Sequence, residues 1–159
     1  MNERQEHLLD LVLEHLTGYA DELKDQAMAG ADQFWLKHHE VRKTRPKHEW
    51  GFVGVRVRQR AGAVMVEWFR AKYWQKRRSA DGGESNMPAL EYLARGKAMR
   101  YSVHPFERVK AKPWEIELAM ELEKQFELIR RQSQMLGKIR RYIHETRRAD
   151  SRAKEKIST

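Results

Sequence analysis

The sequence predicts an α+β fold: two long amphipathic helices flanking a small antiparallel β-sheet, a hairpin plus a third strand. Three features point there. Apolar residues recur at helical steps before residue 40 and again from Trp114 onward. Between them, residues 49–74 alternate apolar and polar side chains in two runs, with Arg60-Ala61-Gly62 as the turn. Helices and strands are thus segregated along the chain, which favours α+β over alternating α/β topology.

The first helix is expected over 3–40. Leu8, Val12, Leu16, Tyr19, Leu23, Ala27, Ala31 and Phe34 recur every three or four residues and so share one stripe. Glycine within a helix costs about 1 kcal/mol relative to alanine. Gly30, inside the short-chained Ala27-Met28-Ala29-Gly30-Ala31, is the expected place for a break. Residues 41–47 lack an apolar period, and Pro46 disfavours helix at Arg45, so a basic linker is expected.

The hairpin is expected over 49–74. With Ala61 and Gly62 as the loop, Arg60 faces Ala63, Arg56 faces Glu67, Val57 faces Val66 and Val55 faces Trp68. That register pairs apolar with apolar and basic with acidic residues, as cross-strand energetics favour. It puts Arg70 and Lys72 on the Val55 face, opposite to Arg56 and Arg58. Residues 76–87 read as a polar, glycine-bearing loop, 88–95 as a short helix ended by Gly96, and 99–103 as the third strand. The second long helix is expected over 113–146, opened by Pro113 with Glu115 and Glu117 near its positive end. Residues 1–146 would form one domain, and 147–159, where the apolar period stops, a frayed basic tail.

The chain has 159 residues, 19.0 kDa and 35% charged side chains, against ~25% in an average globular protein. The core must therefore be thin. No apolar run reaches the ~20 residues that span a bilayer, and Met1–Glu6 lacks the order of a secretory signal. Cysteine is absent, which excludes disulfides, thiolate metal sites and cysteine nucleophiles. A bacterial cytoplasmic location and no membrane contact are expected.

Charge is the strongest functional signal. The net +9 is divided as −6 over residues 1–41, +10 over 42–78, −2 over 79–129 and +7 over 130–159. Two concentrated basic blocks most simply meet a polyanion; the competing reading is that a basic block binds the chain's own acidic half. In the first block, Arg56, Arg58, Arg70 and Lys72 lie on the hairpin strands, and Lys76, Arg77 and Arg78 follow. Arginine binds phosphate bidentately and reads guanine edges, and a two-stranded ribbon fits the major groove. In the second block, Arg140 and Arg147 repeat at seven residues, as do Arg141 and Arg148, making a ridge able to follow a phosphate backbone.

Catalysis finds no support. His38 and His39 are adjacent and diverge on a helix, no His-Glu-x-x-His occurs, and the histidines read as exposed or capping. Gly51-Phe52-Val53-Gly54 sits in a strand pattern, and Gly82-Gly83 lacks the lysine-serine ending of a phosphate loop. Neither cofactor nor metal is expected. Tyr73, Tyr92, Tyr101 and Tyr142 are in principle nucleophiles, but Tyr73 and Tyr101 suit packing better.

The run Ala63-Val64-Met65-Val66-Glu67-Trp68-Phe69-Arg70, then Gly96-Lys97, Tyr101-Ser102, Trp114-Glu115, Glu123, Phe126-Glu127 and Ile129-Arg130, resembles MobI-type conjugative mobilisation proteins over residues 50–145. The resemblance implies a bacterial accessory protein of integrative conjugative elements or related plasmids. Such a protein acts at an origin of transfer, where it helps the relaxase begin DNA processing. It supplies no catalytic residues. The leading expectation is a non-enzymatic double-stranded-DNA-binding protein. The alternatives are an adaptor that binds a relaxase or another transfer protein through its acidic helix, and an RNA-binding regulator. A leftover apolar stripe would suit a homodimer.

Overall fold

The computed structural model describes residues 1–78, 80 and 82–157, with the side chains of 73–78, 84–88 and 157 left outside the description. Helix α1, Glu3–Thr44, starts at a reciprocal cap: the Asn2 side chain accepts from the Gln5 amide, and the Gln5 side chain accepts from the Asn2 amide. After a short 3-10 turn at Lys47–Glu49 come strands β1, Val53–Arg60, β2, Ala63–Arg78, and β3, Glu84–Tyr92. Helix α2, His104–Arg108, precedes helix α3, Pro113–Ile157. The sheet is antiparallel with order β1-β2-β3.

The two long helices pack antiparallel. His38 meets Glu115, Gly30 meets Phe126, Arg140 reaches Thr17 and Arg147 reaches Asp10. The α1 stripe buried in this contact is Ala20, Leu23, Ala27, Gly30, Ala31, Phe34, His38 and Val41, at steps near one turn. Its small residues let the helices approach: a Cβ at Gly30 would lie 2.8 Å from the Phe126 ring. This explains why no break occurs there. The glycine removes bulk at a helix crossing, and burial of Phe34 and Phe126 offsets its helix penalty.

Val53, Val55, Val64, Val66 and Trp68 turn one face of the sheet onto the helices, and all are buried. The β1–β2 register is the expected one at every position named above, from Arg60 opposite Ala63 to Val55 opposite Trp68. Ala61 and Gly62 both have positive φ, 49° and 76°, as a two-residue primed turn requires.

Five expectations are corrected. Helix α1 runs through the expected linker to Thr44, because Val41 still has a core to enter; Arg45 is extended and Pro46 follows. Residues 76–87 are not a loop throughout. Strand β2 continues to Arg78 and β3 begins at Glu84, with Lys76 opposite Asn86. The short helix over 88–95 does not form, since Pro88 to Tyr92 belong to β3; Pro88 pairs with Trp74 just past an irregularity, where a missing amide is tolerated. Residues 99–103 form no strand, so the third strand is β3; the Tyr101 amide instead donates to the Glu123 carboxylate at 2.8 Å. Helix α3 also continues past 146 to Ile157, where Arg147 and Lys154 tie it to α1.

Candidate nucleic-acid interface

Buried ionic groups fix the sheet on helix α3. Glu123 is fully buried and accepts from Trp68 Nε1 at 2.7 Å, from the Tyr101 amide, and from both Arg130 terminal nitrogens at 2.8 Å. Arg130 also donates to the carbonyls of Val66 and Met99 and lies 5.1 Å from the Tyr101 ring centre. Glu115, equally buried, accepts from the amides of Val53 and Lys112, beside the His38 ring that also meets the Val53 carbonyl. Each buried charge therefore has hydrogen-bonding partners, the condition under which burial is tolerable. His38, expected to be exposed or capping, is buried at this joint.

Held this way, the sheet presents a second face away from the helices. Arg56 and Arg58 project there at two-residue spacing with Met65, Glu67 and Phe69 of β2; Arg60 follows on the same parity. Tyr92 of β3 completes the cluster. Its hydroxyl accepts from Arg56 at 3.0 Å, and its ring centre lies 5.8 Å from the Arg58 guanidinium. Arg58 donates twice to Glu67, whereas Arg56 and Arg60 meet no carboxylate among the described residues. Arg70 and Lys72 are elsewhere. Arg70 lies opposite Val53 on the other parity, and both cations pair with Glu91, at 2.7 and 3.4 Å. Desolvation works to raise the Glu91 carboxyl, but hydrogen bonds and charge from Arg70 and Lys72 together hold it below the usual carboxylate range.

Strand β1 begins at Val53, opposite Arg70, so β2 and β3 run beyond that edge as a two-stranded ribbon. Lys72, Lys76, Arg77 and Arg78 belong to that ribbon by sequence position; the side chains of the last three lie outside the described residues. The second basic block is divided. Arg130 is internal, and Arg147 donates to Asp10 at 2.6 Å and to the Glu6 carbonyl. Arg140 donates to Thr17 and fills the space a Cβ at Gly62 would need, so this arginine joins the hairpin tip to both helices. Arg141 and Arg148 are exposed, the former 3.9 Å from Glu145. Arg140 thus brings an α3 cation to the hairpin tip at Gly62, two residues along the chain from Arg60.

No group of three or more metal-ligating side chains lies together among the described residues, and no helix described is long and apolar enough to cross a membrane. A family model described as MobI protein matches residues 23–144. The chain belongs to the MobI protein family. Membership assigns it a mobilisation-related accessory role. The MobI match reaches further toward the amino terminus than residues 50–145, taking in the half of α1 that lies under the sheet. No curated protein and no solved structure matches the chain. Sequence reasoning missed two members of the MobI sheet cluster: Tyr92, assigned to a helix, and Arg60, whose even-numbered parity with Arg56 and Arg58 was the available signal.

Proposed function

We propose that this protein is a non-enzymatic accessory of mobilisation that binds double-stranded DNA and helps a relaxase begin processing at an origin of transfer. The observation that carries the reading is the β2–β3 ribbon that overshoots β1 next to a sheet face bearing Arg56 and Arg60. A two-stranded ribbon has the width of the major groove, and arginines at its root supply phosphate contacts and base-edge donors. In this reading Arg58, Arg70, Lys72, Lys76, Arg77 and Arg78 extend the contact along the ribbon, and Arg140, Arg141 and Arg148 extend it from the hairpin tip onto α3.

Such a contact is mostly electrostatic. With about six phosphates neutralised, the logarithm of affinity falls against the logarithm of salt with a slope near −5. The test is a salt titration of binding to duplex origin DNA, repeated with Arg56→Ala/Arg60→Ala and with single-stranded DNA and RNA as competitors. Weaker binding with a shallower slope supports the reading. Salt-insensitive binding, or RNA outcompeting duplex, overturns it.

A further inference from the structure

Strand β2 is covered unequally along its two edges. Strand β1 pairs with all of its first half, but β3 pairs only from Phe69 onward. Among the described residues, the edge facing away from β1 between Val64 and Trp68 therefore has no strand beside it. Three of its backbone groups find other partners. The Val64 amide donates to Ser133 Oγ at 2.7 Å, the Val66 carbonyl accepts from Arg130 at 3.1 Å, and the Trp68 carbonyl accepts from the Leu93 amide at 2.8 Å. The Val64 carbonyl and the Val66 amide bond to nothing among the described residues. Val64 and Val66 are only 4% and 3% exposed, so these groups open into a cleft rather than bulk water.

That cleft measures about 420 Å³, within the ~300–1,000 Å³ range of ligand-holding clefts, and its lining includes Met65, Arg95, Gly96, Met99, Tyr101 and Gln134. Its charge is one-sided. Glu67 is taken by Arg58, and Arg130 by Glu123. Among the described residues Arg95, which donates to the Met99 carbonyl and faces the Tyr101 ring, meets no carboxylate, and neither do Lys97 and Arg100, which lie beside the lining residues in sequence. A buried backbone donor and acceptor left unpaired are costly.

We infer that this open edge of β2 is a docking site for an extended acidic segment of a protein partner, which adds to the sheet as an antiparallel strand. The geometry fits one register. A partner residue opposite Met65 stands at a non-hydrogen-bonded pair, so the partner's next amide reaches the Val64 carbonyl and its preceding carbonyl reaches the Val66 amide. The main-chain bonds supply affinity, and Arg95, Lys97 and Arg100 select acidic side chains. This site is separate from the DNA reading above and stands or falls without it.

The probes are three seven-residue peptides alternating valine with glutamate, lysine or serine, titrated into the full chain and followed by amide exchange. In the free protein the Val66 amide should exchange quickly, and that of Met65, which faces β1, slowly. The Glu-Val peptide should slow Val66 at least tenfold and leave Met65 unchanged; Arg95→Glu should weaken that peptide at least tenfold, and exposed Gln134→Trp, filling the cleft, should abolish binding. A slow Val66 in the free protein, equal binding of the Lys-Val peptide, no binding of any peptide, or unchanged binding by Gln134→Trp would overturn the inference. Protection of Val66 by duplex DNA instead would assign the edge to nucleic acid and also overturn it.

Discussion

Replacing Glu123 by leucine tests whether one buried carboxylate sets the sheet on helix α3. The side chain is 0% exposed and holds four donors: Trp68 Nε1, the Tyr101 amide and two nitrogens of Arg130. Removing it leaves Arg130, 5% exposed, without its counter-charge; breaking such a pair from one side costs about 3–5 kcal/mol. Arg130 retains the Val66 and Met99 carbonyls, but Trp68 Nε1 and the Tyr101 amide lose their partner, adding about 1 kcal/mol each. A total of about 5–7 kcal/mol rivals the whole stability of many domains, about 5–15 kcal/mol. Replacing the pair together, Glu123→Leu with Arg130→Met, removes the lone charge and should recover much of the loss. Urea unfolding followed by tryptophan fluorescence reads both variants, with comparison of the slopes guarding the two-state assumption. A single variant losing less than about 1 kcal/mol, or a double variant no better than the single, would refute this account of the joint.

Three further outcomes are expected. Glu91→Gln should release Arg70 and Lys72, so duplex affinity should rise and the salt slope steepen by about 2; a filter-binding titration with an unchanged slope would contradict it. Ala61 sits at φ 49°, where a Cβ costs about 1–2 kcal/mol, so Ala61→Gly should raise the unfolding midpoint, and a lower midpoint in thermal melts would count against the turn assignment. Burial raises the Tyr101 hydroxyl above its ordinary value near 10, with Arg130 opposing. Because the folded chain keeps that proton longer than the unfolded one, the contribution is complete below about pH 10 and is lost as the pH rises through the folded value. Tyr101→Phe should therefore flatten the alkaline fall of stability, and an identical alkaline unfolding curve would refute it.

Local pattern made much of this fold legible. Two helical stripes, the turn and every named cross-strand pair of β1 and β2 follow from residue spacing, and parity correctly separates Arg70 from Arg56 and Arg58. The ion pairing was less legible: Glu67 stands opposite Arg56 yet bonds Arg58, a diagonal neighbour within reach of a long side chain. Strand β3 was hidden for another reason. Glu84–Tyr92 carries Pro88 and lacks the apolar–polar alternation by which a half-buried strand is recognised. His38 read as exposed or capping and Glu115 as a charge at a helix end, because the groups that meet at that joint, His38, Val53 and Glu115, lie 15 to 77 positions apart, and only the fold shows them buried. The candidate interface was legible as charge but not as surface: the structure buries Arg130, ties Arg147 to α1, sets Arg140 half-buried at the hairpin tip and leaves Arg56, Arg60, Arg141 and Arg148 outward.

The antiparallel embrace of α1 and α3 also governs the order in which this chain can assemble. Each hairpin closes between neighbours in sequence, but Phe34 and Val53 wait for Trp114 and Glu115, and Thr17 waits for Arg140. During synthesis the acidic helix and both hairpins therefore emerge with apolar flanks uncovered, and the contacts that seal them form only when helix α3 has left the ribosome.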